Sequence, residues 1–183
     1  MDDLIYNQRQ IPKEQWRYGL RASAATGCGW IATYNALRLL GYKTGPEKLI
    51  AFYERQLPLI HGNAGTSILA PALFFMGQGF RVEYTSRQEC FDGLAEAADV
   101  CILFYRWRRD WKIGAHFVAL RHTEDGFIGY NTYRNSAGPD RYGQSLAGFL
   151  KEKKYFAPVR IAIWEKRYRN PACNHAGGVF VTV

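Results

Sequence analysis

No stretch of this chain approaches the roughly 18 consecutive apolar residues that a membrane span requires, so no membrane segment is expected. Its opening, Met-Asp-Asp-Leu-Ile-Tyr-Asn-Gln, has neither the basic region nor the apolar stretch of a secretory leader. The expectation is therefore a cytoplasmic protein, with export by a non-standard route, or a sequence trimmed of its leader, as the alternatives. Cysteines are few and scattered: Cys28, Cys90, Cys101 and Cys173 form no CxxC pair, which argues against a zinc ribbon or a thioredoxin-type site. Cys173-Asn174-His175 resembles half of a metal site, but a second pair of ligands at fitting spacing is missing, so neither a metal nor an organic cofactor is expected. Internal repeats, low-complexity tracts and linkers are absent too, and 183 residues suit one domain rather than two.

What is present is a globular composition, 48% hydrophobic and 15% aromatic. The formal net charge of +8 is spread along the chain, with small clusters at 106–112, 151–154 and 165–170. Such dispersal reads as a solvated basic face. A nucleic-acid partner is not expected, while other anionic partners stay open. No pattern in the sequence fixes the oligomeric state.

Residues 1–27 read as an irregular lead-in. From Cys28 to Leu40, apolar residues recur at three- and four-residue spacing, as in a helix packed on most sides, with Gly41 as its stop. A second helix is expected from Thr44-Gly45-Pro46-Glu47 to about Gln56, and a third from Thr66-Ser67 to the Gly77/Gly79 pair. Residues 28–79 thus form a helical part, and over 80–165 the period shifts toward two. Strands are expected at 80–85, in "DVCILFYRW" and in "PVRIAIWEK", with short helices at "RQECFDGLAEAA" and "SLAGFLKEK". "AHFVALRH" and "FIGYNTY" flank Asp125-Gly126 as a hairpin. Residues 166–183 are left as a C-terminal extension. Helices first and antiparallel strands later make an α+β domain.

Cys28 stands between two glycines where the first of these helices begins. Only a thiolate attacks well, and the unpaired N–H groups of a helix start lower a thiol pKa. Gly27 and Gly29 would let a substrate backbone approach the sulfur closely. A buried structural cysteine is the plainer reading of Cys28 on its own. A base would have to come from elsewhere, and His116, after Gly114-Ala115 at the start of an apolar strand, is the candidate; a core histidine is the alternative. Fifteen residues on, across the hairpin, Asn131 would pair close to position 117, within reach of the His116 ring through its side-chain amide. Its plainer role is a strand-end cap. A neutral Asn suffices for a Cys–His pair.

Three blocks, "IYNQ…YGLRASAATGCGWIATYNALRLLG", "GTSILAPALFFMGQGFRVEY" and "GAHFVALRHTEDGFIGYNTY", occur in an order that resembles the papain-like cysteine peptidases, in the branch related to bacteriocin-processing (double-glycine) peptidases. The resemblance spans roughly residues 5 to 163. It implies a papain-like fold, N-terminal helices packed on a C-terminal antiparallel sheet, and cleavage of a peptide or protein substrate through an acyl-enzyme thioester. It makes Cys28 the nucleophile, His116 the base and acid, Asn131 the orienting group, and an upstream glutamine the side-chain oxyanion donor. Gln8 in "YNQ" matches that glutamine best, with Gln10 and Gln15 as rivals. The same residues would serve deamidation or acyl transfer, and a catalytically decayed binding module is the runner-up.

Two departures stand out. Trp30 follows Gly-Cys-Gly where the family usually has a proline or a similar small residue, so it either lines a substrate pocket or packs; and Asn131-Thr132 replaces the frequent Asp-Pro. Asp110 and Trp111 are candidates for the cleft border, His61 for a surface loop, and His122 for a solvent-facing strand position. Cys90 and Cys101 read as core thiols.

Overall fold

The computed structural model describes residues 4–56, 66–132 and 137–165, and in it the lead-in carries short regular elements where an irregular segment is expected. Asn7 caps a single 3-10 turn over Gln8–Gln10, its side chain accepting from the Arg9 N–H. Two short strands, β1 (Arg17–Tyr18) and β2 (Arg21–Ala22), pair antiparallel, and helix α1 (Ser23–Thr26) runs directly into α2 (Cys28–Leu39). Cys28 through Leu37 are all buried, which explains an apolar pattern without a polar stripe. Gly41, with φ +84, ends the helix in a conformation that a side chain would strain.

Helix α3 (Pro46–Arg55) begins at its proline with Glu47 in the first turn, as expected. Helix α4 (Ala70–Gly77) starts later than the Thr66-Ser67 signal implied, because Thr66 is drawn into a separate packing role described below. Strand β3 (Arg81–Thr85), a 3-10 turn at Gln88–Cys90, helix α5 (Phe91–Ala97), strands β4 (Val100–Arg109), β5 (Lys112–Thr123), β6 (Gly126–Tyr130) and β7 (Asp140–Arg141), helix α6 (Leu146–Glu152) and strand β8 (Phe156–Trp164) complete the described elements. Ser145 caps α6 by accepting from the Gly148 N–H at 3.0 Å.

The six longer-range strands form one antiparallel sheet in the order β3-β8-β4-β5-β6-β7. Side-chain alternation gives this sheet two buried faces. Ile102, Phe104, Phe117, Ala119, Ile161 and Ile163 share a core with α2, α3 and α4. Cys101, Leu103, Tyr105, Val118, Leu120 and Trp164 face the other way, against α5 and α6. The architecture is thus α+β, with its antiparallel sheet in the later part of the chain and the N-terminal helices on one face. Doubly buried strands read as continuous apolar runs, which is why β4 was recognisable.

The β5–β6 loop is a two-residue connection, Thr123 pairing with Gly126, whose φ of +95 only glycine adopts readily. Strands β4 and β5 extend farther than the apolar pattern reached, with Arg109 paired to Lys112 at the tip. Among the described residues, no helix is long and apolar enough to cross a membrane.

Candidate active site

Cys28 is the first residue of α2, and that helix lies across β5. The backbone N–H groups of Phe117, Gly29 and Cys28 itself lie near enough to its sulfur to act on its charge. The Phe117 amide belongs to the residue after His116, so the thiol rests on the main chain of the strand that carries the candidate base. These amides favour a thiolate, but burial outweighs them and pushes the thiol up to about 11.

His116 is fully buried on β5, paired in register with Tyr105, whose ring meets it edge-on at 5.9 Å. Its Nε2 bonds to the main-chain carbonyl of Asn131. A carbonyl only accepts, so Nε2 carries the proton and Nδ1 is the basic nitrogen. Burial drives the imidazole down to about 3; the Asn131 carbonyl opposes that shift, and the Arg9 charge adds to it. In this closed arrangement thiol and imidazole are both neutral at pH 7.

Asn131 reaches His116 by a different group from the one anticipated. Tyr130 pairs with Ala119, so Asn131 lies just past the end of β6, with φ of 70. This left-handed turn, which Asn tolerates better than most residues, presents its carbonyl to the imidazole and its side chain to the lead-in. Asn131 Oδ1 accepts from the Gln8 backbone N–H at 2.9 Å, and Asn131 Nδ2 donates to Gln8 Oε1 at 3.0 Å. Gln8 Nε2 in turn donates to the Ala24 carbonyl at 3.2 Å, in the short helix that leads to Cys28. A buried polar run therefore connects Ala24, Gln8, Asn131 and His116. Gln8 is buried within it, whereas Gln10 and Gln15 are exposed.

The glycines beside Cys28 are filled by the protein rather than open to a substrate, contrary to expectation. A Cβ at Gly29 would lie 2.7 Å from both the methyl and hydroxyl of Thr66, and one at Gly27 would lie 2.6 Å from the Ser23 carbonyl. Thr66 also donates to the Tyr18 hydroxyl at 3.4 Å. Tyr18 is fully buried, and its phenol is pushed up chiefly by that burial, so it stays a neutral hydroxyl beside the helix start. Neither residue carries a local sequence signal for this role, and the Thr in "GTS" reads as a helix start.

Trp30 packs. It is fully buried, donates from Nε1 to Ser23 Oγ at 3.2 Å, and meets Trp16 and Tyr34 edge-on. Thr132 bonds to Asp140 through its hydroxyl. Asp110 and Trp111 form the tip of the β4–β5 hairpin, roughly 17 Å along β5 from His116 by strand rise, and do not border the site. His122 is half-buried against Phe127 rather than solvent-facing. Cys101 is a core thiol pushed up to about 12 by burial, whereas Cys90 is only half-buried at the end of its 3-10 turn. His61, Cys173 and the extension at 166–183 lie outside the described residues. Among the described residues, no three His, Cys, Asp or Glu side chains cluster as a metal site would need.

Comparison of the chain with protein-family models gives no match, and comparison with curated proteins gives none.

Proposed function

We propose that the chain is a papain-like thiol hydrolase that cleaves peptide or amide bonds, with Cys28 as nucleophile and His116 as general base and acid. The observation that carries this reading is the placement of the Cys28 sulfur at a helix start, on the main chain of the strand bearing His116, whose imidazole is oriented by Asn131. In the proposed reaction, His116 Nδ1 takes the thiol proton as sulfur attacks the carbonyl carbon. The oxyanion is held by helix-start N–H groups, and the imidazolium then protonates the leaving amine. Water, deprotonated by the same nitrogen, hydrolyses the thioester and returns the free thiol. Gln8 is assigned first to holding Asn131, and it donates to the oxyanion only if Nε2 leaves the Ala24 carbonyl. Deamidation and acyl transfer use the same acyl-enzyme step.

The near-complete burial of Cys28 and His116 favours a second reading, a binding module whose site no longer turns over. A chloroacetamide probe carried on a short peptide, followed by mass mapping, separates the two. Hydrolase function is expected to place the label on Cys28 first and His116→Ala to slow it at least tenfold. Accessibility alone would favour the half-buried Cys90, so labelling there first, at a rate that His116→Ala leaves unchanged, supports the binding module.

A further inference from the structure

The β4–β5 hairpin continues beyond the body of the sheet. Cys101–Tyr105 and His116–Leu120 are buried without exception, whereas every residue from 106 to 115 is exposed or half-buried. This arm carries Arg106, Arg108, Arg109 and Lys112 against the single carboxylate of Asp110. Register places Arg109 directly opposite Lys112, a like-charge pairing that works against the hairpin. Among the described residues, none of the four cations is ion-paired.

Two large apolar side chains lie near the leading end, Trp111 in the turn next to Asp110 and Ile113 opposite Arg108. Trp111 is 84% exposed in the turn, with the Lys112 ammonium 4.9 Å from its ring centre, and Ile113 beside it is 59% exposed. Farther back, the Trp107 ring lies across Gly114, so close that a Cβ there would fall 2.1 Å from it. That cross-strand contact stiffens the ribbon where it leaves the sheet, Trp107 also packing at the edge of the second core and Arg106 still pairing with Phe156. Alternation sends Arg106 and Arg108 to one face of the ribbon and Arg109 and Lys112 to the other.

An exposed tryptophan in the turn, with cations beside and behind it on both faces and Ile113 one register step back, matches the chemistry of a bilayer surface. Tryptophan favours the headgroup level, and basic side chains reach lipid phosphates while their stems lie along apolar material. A single nucleic-acid strand would instead be tracked by cations and stacking rings on one face. We propose that the β4–β5 arm docks the protein peripherally on an anionic lipid bilayer, with Trp111 and Ile113 entering the headgroup region and Arg106, Arg108, Arg109 and Lys112 contacting lipid phosphates. This docking is independent of whether Cys28 is catalytic.

Sedimentation with vesicles tests it, using the full chain. Vesicles containing phosphatidylglycerol are expected to carry down the protein at low salt and to release it as salt rises, whereas pure phosphatidylcholine vesicles bind little. Removing two cations in R108Q/R109Q should weaken binding about 25-fold, at roughly fivefold for each. Trp111→Ala should weaken it several-fold and remove the blue shift in fluorescence seen with the wild type. All of these residues are exposed, so unchanged thermal melting of the variants is expected and verifies that they fold. Absence of wild-type binding to anionic vesicles, or equal binding by the variants, overturns the proposal. So does binding to an oligothymidylate that depends on these residues while vesicles are not bound.

Discussion

A histidine sealed from water gives up the proton it would hold in an unfolded chain near pH 6, and His116 is held down to about 3 in this way. Its folded value is below its unfolded one, so the unfolded state binds more protons as pH falls. The stability that comes from keeping this ring neutral is complete above about pH 6.5 and is lost progressively between there and about pH 3. By pH 5 the loss from this one group is about 2 kcal/mol. Denaturant unfolding at pH 7 and pH 5 is expected to show that drop in the wild type and a much smaller one in His116→Gln. Equal slopes in both would mean that the ring is hydrated in solution. The raised thiol carries a parallel consequence: Cys28 is expected to remain a neutral thiol at pH 7 for as long as its burial lasts.

At the level of elements, the start of α2 is seated by Thr66 filling the space over Gly29. Gly29→Ala should therefore destabilise the fold by about 1–3 kcal/mol through overpacking against a β-branched residue. Gly93, inside α5, faces open space, and Gly93→Ala should instead stabilise by about 0.5–1 kcal/mol. Chemical denaturation of the two variants gives both signs in one experiment, and an unchanged Gly29→Ala would show that Thr66 moves aside freely. Most elements were legible in the sequence, α2 in the unbroken apolar spacing that its burial imposes and the β5–β6 hairpin in the turn chemistry of Asp125-Gly126. Residues whose role depends on distant partners were not legible. Thr66 reads locally as a helix start, and its partner is 37 residues back in the chain. The strand ends within 108–114 were hidden because charge in "RWRRDWK" covers the alternation that would have marked them. Asn131 was located correctly beside His116, but alternation alone does not tell which of its groups turns inward once the chain leaves β6 with a positive φ.

Across the whole molecule, one sheet separates two apolar cores, and β4, β5 and β8 contribute side chains to both. Neither core can come apart without disturbing strands that the other needs. Thermal or denaturant unfolding is expected to be a single cooperative transition in which far-UV circular dichroism and tryptophan fluorescence coincide, with Trp30 reporting on one core and Trp164 on the other. Two separated transitions would divide the chain into independent units. The buried run from Ala24 to His116 also imposes an order in time. Gln8 leaves the ribosome early, yet its partner Asn131 follows 123 residues later, so the bonds that orient the imidazole cannot close until most of the chain has been made. Cys28 therefore spends its synthesis beside no formed base, and whatever reactivity the site has is withheld from the nascent protein until the two ends of that long loop meet.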